Sequence, residues 1–159
     1  MEFQEQMEKV GSWLKDISAS LGVKISLDSQ GMCCFQVGDM VITLEVSQDF
    51  PLIEFYSPLV PLPQEQEEST LLMIRALELN AFQVQTRGGA IGIAPGGGLL
   101  IFCFSIPTIE MDSEKFSAVL GGFFETVTDL KALLVENKTV LDRKNTQPNK
   151  LSKAPWMKI

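Results

Sequence analysis

Between Glu65 and Phe82 the sequence reads EQEESTLLMIRALELNAF, with no proline and no glycine. Its acidic start suits the N-terminal end of a helix dipole. Past that first turn, Leu71, Leu72, Met73, Ile74, Ala76, Leu77, Leu79, Ala81 and Phe82 cover nearly the whole circumference. A helix that is apolar all round has to be buried on both sides. In a chain of 159 residues one side can pack on a sheet, and the other then needs a second subunit. The expected dimer interface is Leu71, Leu72, Ile74, Arg75, Glu78, Leu79 and Phe82. The alternative is burial between two layers of one chain.

The rest of the chain supplies the sheet. Residues 3–21 carry Phe3, Met7, Val10, Leu14, Ile17 and Leu21 at spacings of three and four, which predicts an amphipathic helix stopped by Gly22. Short strands are expected at residues 23–27, 32–37, 40–46 and 52–57, separated by the turn signals Asp28-Ser29-Gln30-Gly31 and Gly38-Asp39. Pro58, Pro61 and Pro63 then break the chain. A third helix is expected from Asp112 or Ser113 to about Asn137, with Phe116, Val119, Leu120, Phe123, Val127, Leu130 and Leu134 on its buried face. The fold class is α+β, in the order α-β-β-β-(β)-α-β-β-α: an antiparallel twisted sheet flanked by helices, dimeric.

Residues 88–106, GGAIGIAPGGGLLIFCFSI, hold two glycine clusters but not the chemistry of a phosphate loop. A Walker A loop needs a lysine and a hydroxyl after its last glycine, and here Leu99 follows Gly98. A dinucleotide loop opens a helix, whereas residues 99–106 are rich in β-branched and aromatic side chains. A hairpin is expected, turning at Ala94-Pro95-Gly96-Gly97-Gly98.

The chain has no histidine, so the commonest general base and transition-metal ligand is missing. Cys33, Cys34 and Cys103 form no C-x-x-C pair and no disulfide framework; neighbours on a strand, Cys33 and Cys34 point to opposite faces. The carboxylates Glu65, Glu67, Glu68, Glu110, Asp112 and Glu114 lie in polar connectors. No catalytic residue, metal ligand or cofactor is expected, and the reading is of a protein that is not an enzyme. The N-terminus lacks the basic start of a signal peptide, and the apolar runs are too short to span a bilayer. A cytoplasmic protein is expected. From Lys138 onward six basic residues face one acid, a net of +5, while the whole chain is −7. Two segments follow: a domain over 1–137 and a basic, disordered tail over 138–159. The acidic body disfavours nucleic acid and favours a basic or polar protein partner.

The stretch LLMIRALELNAFQVQTRGGAIGIAPGGGLLIFCFSIP, residues 71–107, has an apolar helix ending in Leu-Asn, a glycine-rich strand start, a turn, and a strand ending near a proline. Together with FSAVLGGFFETVTDLKALL, residues 116–134, it resembles the class I type III secretion chaperones of bacteria, the CesT (Tir chaperone) family. The similarity runs over residues 3–137, and the basic tail departs from it. The resemblance implies a cytoplasmic chaperone that hydrolyses nothing. Such a chaperone pairs with itself or with a related chaperone through the central helix and neighbouring strand. It binds the extended N-terminal segment of one secreted effector, partly as an added strand, keeping that segment soluble and export-competent. Candidate effector-binding residues are Trp13, one step off the stripe of the first helix, and Met32, Cys34, Val37 and Val41 on the early strands. The rival readings are a non-catalytic regulatory or scaffold module of the same fold, and a small-ligand-binding or enzyme subunit.

Overall fold

A computed structural model describes residues 2–81 and 83–136 of the chain. Phe82 and the basic segment, both named above, lie outside the described residues. The elements are α1 (Phe3–Leu21), β1 (Met32–Val37), β2 (Met40–Val46), β3 (Leu52–Pro61), α2 (Gln66–Asn80), β4 (Ala90–Ile93), β5 (Leu99–Pro107) and α3 (Ser113–Glu136). The strands form one antiparallel sheet in the order β1-β2-β3-β5-β4.

Strand alternation sorts the side chains onto two faces. Phe35, Ile42, Leu44, Ile53, Phe55, Leu100, Phe102 and Ile106 are buried on the inner face. There α1 and α3 cover them: the Phe116 ring of α3 packs at a tilt between Trp13 of α1 and Phe55 of β3, and Phe123 meets Phe55 and Phe102. The i, i+3, i+4 stripes of both helices end in this one core. Asp112 starts α3 by accepting the Lys115 N–H at 2.8 Å. On α1 an unexpected polar residue is buried, Gln6, whose amide donates to the Leu52 carbonyl at 2.9 Å and accepts from Thr108 at 3.3 Å. It ties the helix to the ends of β3 and β5.

Three expectations change. Residues 23–27 alternate but belong to no strand. Ile25 enters the core, and its N–H donates to the Ser18 hydroxyl at 3.0 Å, so the backbone is bonded to α1 and not to a ladder. The strand expected to end at Ser57 runs through Pro58 to Pro61. Its pairing with β2 ends at Tyr56, so proline interrupts no ladder on that side, and the buried Ser57 hydroxyl donates to the Val41 carbonyl at 2.8 Å. The helix expected over 65–82 is α2, over Gln66–Asn80, and among the described residues it lies against β4 and α3. Among the described residues no second layer buries its other side.

The glycine-rich stretch is a hairpin. Gly96, Gly97 and Gly98 all have φ between 78° and 90°, which only glycine adopts without strain. At Gly89 a Cβ would collide with the Phe102 ring and stand 2.7 Å from the Cys103 carbonyl, so glycine there lets the chain enter β4 flat against β5.

Candidate functional site

An open sheet has two edges, and here they differ. At β1, the Val46 N–H donates to the Gly31 carbonyl at 2.9 Å, which fixes the alternation of the β1–β2 ladder. Cys33, Phe35 and Val37 are then the bonded partners of β2. The backbone groups of Met32, Cys34 and Gln36 point outward. Met32 is satisfied locally, donating to the Asp28 carboxylate at 2.9 Å and accepting from the Asp28 N–H at 2.7 Å. Cys34 and Gln36 have no such partner among the described residues. They leave two N–H and two C=O groups in register for another strand.

At the other edge, the β4–β5 ladder turns the backbone of Ile91 and Ile93 outward, given the Ala94 N–H to Leu99 carbonyl bond of 2.9 Å. The Asn80 side chain, at the end of α2, accepts from the Ile91 N–H at 2.8 Å and donates to the Ile91 carbonyl at 2.9 Å. One amide thus imitates a strand residue and occupies the edge. Only Ile93 is left, too little for a ladder.

The outer sheet face carries no helix among the described residues. Its rows run Met32-Glu45-Glu54-Ser105, Cys34-Thr43-Tyr56-Cys103 and, at one end, Gln36-Val41 with Pro58-Ile101 beside it. Tyr56 OH donates to the Glu54 carboxylate. Burial, then that hydrogen bond, push the Tyr56 phenol well above its usual range. Burial pushes the Cys33 thiol up to about 12, with Cys34 adding to it. Burial and Glu54 raise the Cys103 thiol as well.

Beyond the sheet, α2 shows a third surface. Ala76 and Leu79 face the core, whereas Ile74 is 48% and Leu77 67% exposed, with Val84 at 70% just after the helix. Ile74, Leu77 and Ala81 follow at i, i+3 and i+7, a single uncovered stripe flanked by the Arg75–Glu78 pair at 3.3 Å.

Of the residues expected from sequence, Ile74, Arg75 and Glu78 lie on or beside this stripe. Leu71 is half-buried, and Leu72 packs against the core. Leu79 is corrected: at 3% exposure it belongs to the core and cannot line an interface. Met32, Cys34 and Val41 share the outer sheet face. Val37 is corrected, because alternation turns it to the inner face, where it packs on the core. Trp13 is corrected too. It is 5% exposed, with its ring 5.2 Å from Phe116 and Lys9 Nζ 5.3 Å from its centroid, so it is no exposed anchor. One step off the stripe, it faces α3 while the stripe faces the sheet. Sequence reasoning missed Asn80 as an edge cap, Asp28 as the partner of Met32, and Glu45 facing Glu54. The Leu79-Asn80 pair was the signal for the first; the others follow only from register.

A family model for the Tir chaperone protein (CesT) family matches residues 12–131. No curated protein matches the chain. Among solved structures, a chain of the ExsC–ExsE complex is 17% identical with a TM-score of 0.68, over 80% of this chain and 95% of that one. A chain of the HopA1–SchA chaperone–effector complex is 18% identical with a TM-score of 0.60, over 80% of this chain and 96% of that one. YbjN of E. coli, a proposed transcription regulator, is 12% identical with a TM-score of 0.52, over 84% of this chain and 92% of that one. These likenesses concern the fold, and the family rests on the match to more than half of the sequence: the chain belongs to the Tir chaperone protein (CesT) family.

Proposed function

We propose that this protein is a type III secretion chaperone. It holds the extended N-terminal segment of a secreted effector in the bacterial cytoplasm and performs no turnover. The observation that carries the reading is the β1 edge, open at Cys34 and Gln36, in a chain of this family. An added strand would make up to four backbone bonds there, each contributing about 0.5–1.5 kcal/mol. Backbone bonding tolerates varied sequence, while alternate side chains meet apolar surface on both sides. On the outer face these are Met32 and Cys34. On the inner side Phe3 and Met7 of α1 crowd the approach at Gly31, where a Cβ would stand 3.1–3.2 Å from both. Such short contacts pay the ordering cost of a disordered segment only when the contact is long, and dimerisation across the Ile74–Leu77 stripe doubles the available surface. No described helix is long and apolar enough to cross a membrane.

The test is capture by full-length wild type and by Cys34→Pro, which removes one outward N–H at an edge position that tolerates proline. The expected result is an exported protein held by its N-terminal segment. That segment gains amide protection without becoming compact, and capture by the variant is weakened. A partner that stays a folded globule, or one held equally by the variant, would overturn the reading. The second reading, a regulatory module of the same fold, is favoured by the likeness to YbjN. It expects such a folded partner.

A further inference from the structure

The outer sheet face carries a charge arrangement that the described chain does not balance. Glu45 and Glu54 are direct register partners on β2 and β3, and both are half-buried. Like charges opposite one another on one sheet face are destabilising. Tyr56 donates a hydrogen bond to Glu54 but brings no positive charge. Among the described residues the ion pairs lie elsewhere: Arg75 with Glu78, Arg87 with Glu125 and Asp129, and Lys115 with Asp112. In their own row stand Met32 and Ser105, in the next Cys34, Thr43, Tyr56 and Cys103, and Val41 and Ile101 lie one row further along the same face. The complement of this face is a segment that combines cations with apolar side chains.

The chain contains one. Residues 138–159 hold six cations, Lys138, Arg143, Lys144, Lys150, Lys153 and Lys158, against Asp142 alone. Interspersed are Val140, Leu141 and Leu151, and the end reads Pro155-Trp156-Met157-Lys158-Ile159. The preceding residues have seven cations against nineteen acids, a net of −12. The segment starts two residues after α3 ends at Glu136. Its 22 residues can extend over about 75 Å, against roughly 24 Å for the width of five paired strands. Reaching from α3 on the inner side to the outer face is therefore no obstacle.

We infer that the basic segment 138–159 of the same chain lies across the outer face of the sheet, its lysines against Glu45 and Glu54 and its apolar end against Val41 and Ile101. It covers the face and leaves the β1 edge alone, so it stands whether or not that edge receives a secreted segment.

The test is zero-length carbodiimide cross-linking of the full-length protein at low salt, in a mixture of isotopically light and heavy chains, read by peptide mass spectrometry. The expected products join Lys150, Lys153 or Lys158 to Glu45 or Glu54 within one chain. Their yield should fall severalfold at 1 M salt, where the Debye length is about 3 Å. Trypsin should cut after Lys150 and Lys153 severalfold faster in the Glu45→Gln/Glu54→Gln variant than in wild type. The triple variant Lys150→Glu/Lys153→Glu/Lys158→Glu, which leaves the sheet untouched, should cross-link to neither carboxylate and should expose the segment to chymotrypsin at Trp156 just as much. Lysine links spread over α1, α2 and α3 without preference, absence of links to the pair, or unchanged proteolysis in both variants would overturn the inference. Links found only between light and heavy chains would assign the segment to a second copy and overturn it as stated.

Discussion

The two ends of the sheet solve the same problem in opposite ways. At the β4 end, the exposed backbone of Ile91 is taken by the Asn80 amide, so only Ile93 is left, too little for a foreign strand to read. What remains uncovered there is side chain: Ile74, Leu77 and Val84. At the β1 end, the outward backbone groups of Cys34 and Gln36 have no partner among the described residues, while Asp28 closes the strand just before them. Apolar side-chain surface suits a rigid, self-complementary partner, because it rewards matched shape. Unpaired backbone suits an unfolded one, because every residue type carries the same two groups. In the proposed function, one fold thus separates pairing with a like subunit from capture of an extended chain, at opposite edges of the sheet.

The largest expected effect is at the β4 end. Ile74→Asp with Leu77→Asp puts charges into the proposed dimer surface, at a cost of several kcal/mol. Sedimentation velocity should show wild-type dimer and variant monomer with unchanged circular dichroism. A wild type that stays monomeric at micromolar concentration would break the comparison. Next is Asn80→Ala, which leaves the Ile91 N–H and C=O without their partner. A loss of roughly 1–3 kcal/mol is expected in urea unfolding, together with a second open edge that could be read as slow association. The thiols sharpen the contrast between the two faces. Cys34 is exposed and Cys33 is buried with its thiol pushed up to about 12. A maleimide should label Cys34 first, and Cys33 only when the chain unfolds, as followed by peptide mass mapping. The smallest effect lies at neither edge and serves as a control. The Lys115 N–H bond, with the Lys115 charge, holds the Asp112 carboxyl below the usual carboxylate range. A lowered folded value contributes stability that is complete above the unfolded value of about 3.9 and is lost as pH falls through the folded one. Asp112→Asn keeps the helix cap but not the charge, so it should lower the unfolding midpoint slightly at neutral pH and flatten that acid limb.

How far these regions could be read in advance depended on what kind of interaction defines them. The α1 bounds and the 94–98 turn were legible, since a 3.6-residue stripe and a run of glycines are local signals. The uncovered stripe of α2 was legible as a surplus of apolar residues, although which of them face the core was not: Leu79 points inward and Ile74 outward because β4 and α3 lie on one side. Residues 23–27 show why alternation alone is insufficient. Their pattern is that of a strand, but a strand exists only where a neighbour lies within hydrogen-bonding distance, and Ser18 took the bond instead. Trp13 shows the same limit for a helix, since its burial required knowing where α3 crosses.

By itself, the amino-acid sequence determined the helices, the strands apart from the one expected at residues 23–27 and the end of β3, the hairpin at its glycines, the missing histidine and the reversal of charge at Lys138, because each depends on composition or on spacing within one turn or one pleat. The tertiary structure alone decided which edge is open. The bonds that close β4 run from Asn80 to Ile91, eleven residues on, across a change of direction, and those that leave β1 free depend on the register of β2. A hydrogen-bond partner is chosen by position in space, and no periodicity in the sequence records it.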